Sequence, residues 1–400
     1  MSEKKGISFV EKKVNGKIVK IPIVGVGVIG TSNMAKAHIN GYKQMAYIFW
    51  PPPALVDLVK ICDISNDVAE EAAGRYGFRS YTDRWQDLIE DENVRVIENV
   101  GTNDVHAKPC IEAAKSGKDI LCEKPLARNA EEAWEMLEAV KKYNVIHACG
   151  NNYRFTPALM LARKLIDEGK IGKIQHVRAQ YLQDFINKPN FPLIWRLQKS
   201  VSGSGSLGDL GSHIIDLTRW LCGEPGSVQS IVKTFYKERP LPNNPTHKGI
   251  VDVDDAFIST VEFVNGAVGF FEASRCSNGR KNYEYIEISG ELGSLYFSLE
   301  NLNYLHVYLQ KDEQEGIAGF RVVDVTELYH PYIKYWYYAN NYRGWEDVCV
   351  HQAYEFMNAV SGAKRLADYV ATFEDGYKAM VVCDAIIKSA ETGKKEYIKY

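Results

Sequence analysis

The sequence has no surplus of positive charge. Its 48 lysines and arginines are met by 51 aspartates and glutamates, for a formal net charge of −3. A protein that neutralises a phosphate backbone needs a basic face, so nucleic-acid binding is set aside. Nor is there an apolar run long enough to cross a bilayer. The most apolar stretch near the start, Tyr47 to Val59, is interrupted by Pro51, Pro52 and Pro53. The eight cysteines are scattered, with no Cys-x-x-Cys pair and no repeated spacing. That argues against a zinc ribbon or a thioredoxin-like motif, and no metal is expected. Most of them lie in apolar or strand-like contexts, where a free thiol behaves as a small hydrophobe. The Lys-rich start, Met1 to Lys20, lacks the apolar core of a signal peptide. The expectation is a cytoplasmic, reduced protein with no membrane partner. Internal repeats and low-complexity tracts are absent as well, and 400 residues suit two domains.

Residues 20 to about 150 alternate β-branched runs with helical patterns. Strands are expected at Ile21–Val28, Leu55–Cys62, Val94–Val100, Asp119–Cys122 and Val145–Cys149, with helical segments such as Thr31–Gln44 and Ala130–Tyr143 between them. Such alternation implies a parallel sheet covered by helices. After Gly150 the pattern changes to long extended segments joined by turn dipeptides, among them Asn265-Gly266 between two apolar strands. The reading is α/β, with a first domain over 1–150 and a second over 151–400, rich in antiparallel strands. The last helix, 373–392, is expected to pack back toward the first domain.

Three groups of residues could carry chemistry. Gly25-Val26-Gly27-Val28-Ile29-Gly30 is a G-x-G-x-x-G placed between an expected strand and helix. Such glycines allow a tight turn and close approach to a pyrophosphate at a helix N-terminus. Asp63, after the second strand, suits the ribose hydroxyls of NAD and would repel the 2′-phosphate of NADP. It lies further along than the fingerprint usually has it, which assigns an insertion to about Tyr42–Pro53. Glu123-Lys124-Pro125 closes a strand at the ligand edge of the sheet, where a lysine could meet an alkoxide or a hydroxyl; a lysine before proline is also an ordinary loop residue. Asp209 and His213 lie four apart on one expected helix face, with Asp216 three further on. A histidine beside a carboxylate is a natural general base, while a metal reading lacks further ligands and a purely structural role stays open.

In order along nearly the whole chain, these motifs resemble the Gfo/Idh/MocA oxidoreductase family, the glucose–fructose oxidoreductase and inositol dehydrogenase group. The carrying residues are Gly25 to Gly30, Asp63, Thr102-Asn103 with His106, Glu123-Lys124-Pro125-Leu126, Asn152-Tyr153-Arg154-Phe155, Gly169 with Ile171-Gly172, Asp209 with His213 and Asp216, and Glu374-Asp375-Gly376. Phe49-Trp50-Pro51, Tyr181-Leu182-Gln183-Asp184, Trp195-Arg196-Leu197-Gln198-Lys199 and Val251-Asp252-Val253-Asp254-Asp255 resemble the levoglucosan dehydrogenase-like and glycoside 3-dehydrogenase branch.

The resemblance implies an N-terminal Rossmann domain and a C-terminal α/β domain with a large, open, mostly antiparallel sheet, whose sheet often forms subunit contacts; a homo-oligomer is expected. It implies NAD as cofactor, bound by Gly25, Gly27, Ile29, Gly30, Asp63, Thr102, Asn103, His106, Glu123, Lys124 and Asn152. It implies Lys124, Asp209 and His213 as catalytic residues, oxidising a ring hydroxyl, at C3, of a sugar, anhydrosugar or O- or C-glycoside. Tyr153, Arg154, Trp195 and Arg196 join Lys124, Asp209 and His213 as candidate substrate contacts, with a core or interface role for Trp195 as the alternative. Competing functions are a redox-neutral NAD-dependent glycoside hydrolase or eliminase, an inositol dehydrogenase, and a non-catalytic sensor. The sequence departs from the family at Thr102-Asn103, where Thr-Pro is usual, and at Glu98 and Asn99, where apolar residues are common. Its 24 tyrosines are unevenly distributed, and in Tyr329–Trp345 eight of seventeen residues are aromatic. Rings with an apolar body and a polar tip suit a sugar face, or equally a subunit interface.

Overall fold

The computed structural model describes residues 5–400. They form two compact units. The first gathers the chain up to Leu126, Glu131–Phe155 and Gly344–Gly376; the second gathers Ala127–Ala130, Thr156–Arg343 and Tyr377–Tyr400.

The first unit is built on β1 (Ile7–Val14), β2 (Lys17–Ile29), β3 (Leu55–Cys62), β4 (Ser80–Thr82), β5 (Val96–Asn99), β6 (Asp119–Cys122) and β7 (His147–Cys149). The sheet order is β4-β3-β2-β5-β6-β7, and all these neighbours are parallel. Parallel neighbours need crossovers, supplied here by helices such as Asn33–Ile48, Asn66–Tyr76 and Ala107–Lys115. Helices on both faces explain why β2 and β5 are buried on successive residues, with Val24, Val26, Val28, Val96 and Ile97 inaccessible to water. The strand order reverses between β2 and β5. In doubly wound sheets of this order, ligands bind at that reversal, outside the carboxyl ends of the strands.

β1 was not expected. It pairs antiparallel with β2 through Asn15-Gly16, both at positive φ. That dipeptide is a strong hairpin signal; the lysines around it drew the reading toward charge instead.

The second unit contains β8 (Ile174–Leu182), β9 (Pro225–Lys233), β10 (Glu238–Leu241), β11 (Asn244–Ile250), β12 (Ala256–Phe263), β13 (Val268–Ser274), β14 (Tyr283–Gly290), β15 (Gly293–Ser298), β16 (Tyr304–Leu309), β17 (Arg321–Asp324) and β18 (Glu396–Tyr397). Nine of them form one sheet in the order β17-β16-β15-β14-β8-β13-β12-β9-β18, while β10 and β11 form a separate ribbon. Every neighbouring pair of the large sheet is antiparallel except β8 with β13. Asn265-Gly266 makes the expected hairpin between β12 and β13, with Glu262 opposite Val268. Along β12 the residues alternate: Phe257, Ser259, Val261 and Phe263 are buried, and Ile258 is exposed. The covered face carries helices Pro157–Asp167 and Ser212–Cys222. The architecture is thus α/β, a parallel Rossmann sheet and a mixed, mostly antiparallel one. None of the eight cysteines is in a disulfide; seven are buried and Cys276 is half-buried. No described helix is long and apolar enough to cross a membrane.

Candidate active site

The cofactor end of the first unit follows from where β2 stops. It runs through Ile29, and the next helix starts at Asn33, so the strand-to-helix turn is Gly30-Thr31-Ser32. Gly25 and Gly27 lie inside β2, paired with β3, as the expected strand Ile21–Val28 has them, so of the three motif glycines only Gly30 is in the turn. Gly25 is required there by packing, because a Cβ would sit 1.8 Å from the Asn93 carbonyl oxygen. Gly30 is the residue with the turn geometry. Its φ is +96°, and a Cβ would fall 2.9 Å from the Gly101 backbone. Ser32 caps the helix Asn33–Ile48 by position rather than by a side-chain bond to its backbone; its Oγ donates to the Val100 carbonyl at 3.2 Å.

Asp63 follows β3 directly. Its Oδ2 accepts from Thr31 Oγ1 at 2.6 Å, which fixes the carboxylate beside the Gly30 turn, and Gly30 N–H donates to the Cys62 carbonyl at 2.8 Å. An open turn at a helix N-terminus with an acid alongside fits the pyrophosphate and ribose of NAD.

The loop after β5 is shaped by one of the two unusual polar residues. Asn99 Nδ2 donates to the Val105 carbonyl at 2.8 Å, and its Oδ1 accepts from Gly101 N–H at 3.2 Å. Thr102 Oγ1 donates to Asp104 at 2.5 Å, and Asn103 is buried in a 3₁₀ turn. His106 is buried between two loops, with Nδ1 3.0 Å from the Pro125 carbonyl and Nε2 3.2 Å from that of Gly101. Burial pulls its pKa below the ordinary value, so a neutral ring donates through one nitrogen only. In this structure His106 braces the Gly101 loop against the Pro125 loop.

The other unusual residue, Glu98, explains Glu123. Both carboxylates are buried, and His38 from the helix Asn33–Ile48 lies between them. Its Nδ1 pairs with Glu98, and its Nε2 meets Glu123 Oε1 at 2.9 Å. Burial alone would depress the imidazole. The charge of Glu98 and hydrogen bonds to Glu123 and Glu98 overrule it and hold His38 well above its ordinary range. Burial would likewise raise Glu123, but the bond to and charge of His38, with Lys124, keep it below the usual carboxylate range. Glu123 Oε2 also accepts the backbone N–H of Lys124 at 3.2 Å. The lysine thus stands on a loop anchored from beneath.

Asn152, Tyr153 and Arg154 form a buried 3₁₀ turn. Asn152 Nδ2 lies 3.6 Å from Cys349 Sγ, and Tyr153 Oη accepts from Trp345 Nε1 at 3.0 Å. Arg154 is 2% exposed, with its guanidinium 3.1 Å from Asp375. An arginine so buried and paired is tied into its own unit.

The second unit assembles Trp195, Arg196, Asp209 and His213. Trp195 and Arg196 form a 3₁₀ turn, with the guanidinium 4.3 Å above the indole. Asp209 sits on a π-helical turn, Leu207–Gly211, that leads into helix Ser212–Cys222. Such turns often re-aim functional side chains. The Ser-rich run before it is held by Asp254, which accepts from Gly205 N–H at 2.7 Å, Leu207 N–H at 2.8 Å and Ser206 Oγ at 2.5 Å. Asp209 Oδ2 lies 3.7 Å from Arg196 Nε and 3.6 Å from Arg275 Nη1. His213 is buried in the first turn of its helix, its ring centroid 5.6 Å from that of Tyr181. Asp216 is buried on the same helix. Lys124, Tyr153 and Arg154 belong to the first unit; Trp195, Arg196, Asp209 and His213 belong to the second. Among the described residues, no group of three or more His, Cys, Asp or Glu side chains is arranged to hold a metal.

Sequence reasoning missed His38 and Arg275. An imidazole six residues past the end of the Gly30-Thr31-Ser32 turn carries no motif of its own, and Arg275 follows an apolar strand with nothing local to tie it to Asp209. Of the aromatic segment, Tyr332 and Trp336 are buried, while Tyr329, Tyr337, Tyr338 and Tyr342 are exposed.

Comparison with known proteins agrees with this geometry. Residues 24–151 match the model of an oxidoreductase family with an NAD-binding Rossmann fold, and residues 159–296 match the GFO/IDH/MocA C-terminal domain. A levoglucosan dehydrogenase from Pseudarthrobacter phenanthrenivorans is 40% identical over 379 residues, 92% of this chain and 96% of that one. A D-glucoside 3-dehydrogenase from Escherichia coli is 26% identical over 262 residues, 64% of this chain and 71% of that one. A solved levoglucosan dehydrogenase in complex with NADH and levoglucosan superposes with a TM-score of 0.90 at 40% identity, covering 94% of this chain and 99% of that one. The chain belongs to the Gfo/Idh/MocA oxidoreductase family and is an NAD-dependent oxidoreductase.

Proposed function

We propose that this enzyme oxidises a ring hydroxyl, at C3, of a sugar, anhydrosugar or glycoside to the ketone. The observation that carries the reading is the Asp209 carboxylate, flanked by Arg196 and Arg275 and placed four residues before the buried His213. Carboxylate, guanidinium and imidazole offer the acceptors and donors that fix a polyhydroxylated ring, and Trp195 beside them offers a flat face for its CH groups. The names of the relatives, a levoglucosan dehydrogenase and a glucoside 3-dehydrogenase, support the substrate class and the carbon.

In this proposal a ring nitrogen of His213 takes the hydroxyl proton. Asp209 accepts a hydrogen bond from a neighbouring hydroxyl and orients the imidazole. Lys124 stabilises the alkoxide oxygen as the carbonyl forms. When bound, NAD⁺ supplies the acceptor for the hydride from the same carbon. General base catalysis contributes about 10²–10⁴-fold, and donors aimed at the developing oxyanion contribute on a comparable scale.

A homo-oligomer belongs to the same proposal. The tyrosine row Tyr283, Tyr285 and Tyr296, stacked on to His306, supports the large sheet as a subunit contact. Residence in the cytoplasm is part of it too, supported by eight cysteines outside any disulfide.

The test is incubation with NAD⁺ and a panel of free sugars, levoglucosan, inositols and O- and C-glycosides. Absorbance at 340 nm is followed, and the product is identified by mass spectrometry. NADH and a ketosugar in equal amounts support the proposal. Aglycone release without net NADH would replace it with the redox-neutral cleavage reaction, and exclusive turnover of inositols would move the substrate class to cyclic polyols.

A further inference from the structure

We infer that Arg275 is a positioning residue that sets the sugar site by holding Asp209 and Arg196 in register; the inference rests on the function proposed above. Arg275 follows β13 and is 0% exposed. A guanidinium removed from water in this way needs partners, and it finds them on three separate segments. Its Nη1 lies 3.6 Å from Asp209 Oδ2, on the π-helical turn. The same Nη1 donates to the Arg196 carbonyl at 3.2 Å, on the Trp195 turn. Its Nη2 donates to the Asp254 carbonyl at 3.0 Å, and the Asp254 carboxylate in turn holds Gly205, Ser206 and Leu207. Its own backbone N–H donates to the Asp255 carbonyl at 3.0 Å.

The two arginines beside Asp209 therefore do different work. The Arg196 side chain is 39% exposed and lies 3.7 Å from the carboxylate. It can turn toward a ligand. Arg275 cannot, since its side chain is wholly buried. It fixes the backbone that carries Arg196 and supplies the buried cation opposite Asp209. Only a planar fork with several N–H groups spans a carboxylate and two carbonyls at once. A lysine keeps the charge but has one point of attachment, so it should preserve part of the effect. Both the carboxylate and the wall residue are sugar contacts in the proposed function. The consequence of losing Arg275 therefore falls on sugar binding, not on NAD.

The experiment measures sugar binding to the enzyme–NADH complex by the change in NADH fluorescence, alongside steady-state kinetics. The proteins are the wild type, Arg275→Met, Arg275→Lys, Asp209→Asn and the Arg275→Met/Asp209→Asn double variant. The expectation for Arg275→Met is a sugar Kd and KM raised at least about tenfold, with the NADH Kd within about twofold of the wild type. Arg275→Lys should recover part of that loss. The double variant should bind sugar about as weakly as the worse single variant, because residues acting through one another are not additive. The inference is overturned if Arg275→Met binds sugar as the wild type does, or if the two single losses simply multiply in the double variant. Should Arg275→Met fail to fold, Arg275→Lys decides: an unchanged sugar KM overturns the inference and a raised one supports it. If the wild type binds and oxidises no sugar at all, it is the proposed function that fails, and this inference falls with it.

Discussion

Replacing His38 by leucine strands two carboxylates, Glu98 and Glu123, inside the NAD-binding unit. Their accessibilities are 0% and 5%, and the imidazole between them is itself 4% exposed. Removing one partner of a buried charge network costs about 3–5 kcal/mol, because the charges left behind lose the cation they share in a place water does not reach. For a unit of this size each kcal/mol lowers the melting temperature by about 2–4 °C, so His38→Leu should melt on the order of 10 °C lower at neutral pH. The pH dependence carries more information than the drop. The His38 pKa is raised in the folded state, so its contribution is complete below about pH 6.5 and fades as pH rises through the folded value. The Glu123 pKa is lowered, so its contribution is complete above about pH 4.5 and fades as pH falls through the folded value. The wild type therefore gains most from the cluster between those two limits. On the acid side the gap between the two narrows, because the variant has no His38 charge to hold Glu123 ionised as pH falls. Thermal melts followed by circular dichroism from pH 4.5 to 9 measure both curves. A gap below about 2 °C, or one that stays constant with pH, would refute the buried-charge account of this cluster.

Other outcomes follow from the same geometry. Asp63→Ser removes the carboxylate held by Thr31, and the ratio of kcat/KM for NADP⁺ over NAD⁺ should rise by about tenfold or more in a 340 nm assay. Lys124→Met and His213→Leu should each lower kcat by about 10²–10⁴-fold, while NADH binding, followed by fluorescence, changes less than about twofold. Trp195→Ala should raise the sugar KM with little change in NADH affinity; an unchanged KM would return Trp195 to the core or to an interface.

Much of this fold is legible because its signals are local. Asn265-Gly266 marks a hairpin, and the alternation of Phe257, Ser259, Val261 and Phe263 marks a strand with one buried face. The β10–β11 ribbon was not legible. Pro240, Pro242 and Pro245 argue against strands there, yet the buried Arg239 ties the ribbon down through bonds to the Lys188 and Ile186 carbonyls. The glycine motif was legible in kind. The strand end is within one residue, Val28 expected against Ile29 found, but the six-residue glycine match overlaps the strand itself, so Gly25 and Gly27 match the motif while serving the sheet. Asp209 and His213 are visible as a four-residue spacing on one helical segment. Arg275 comes to Asp209 from a distant part of the chain, with Arg196 on its other side and Asp254 holding the run just before it, and only the folded structure shows that arrangement. Glu98 looked like a departure from an apolar strand and proved to be half of the cage around His38.

Hydride transfer from a sugar carbon to NAD⁺ is measured directly with an isotope. The enzyme is incubated with NAD⁺ and levoglucosan, or the best glycoside of the panel, carrying deuterium at C3, and the recovered NADH is weighed by mass spectrometry. The expected result is NADH one mass unit heavier, in equal amount with the 3-ketosugar. Unlabelled NADH, or loss of the aglycone with no NADH formed, would contradict it.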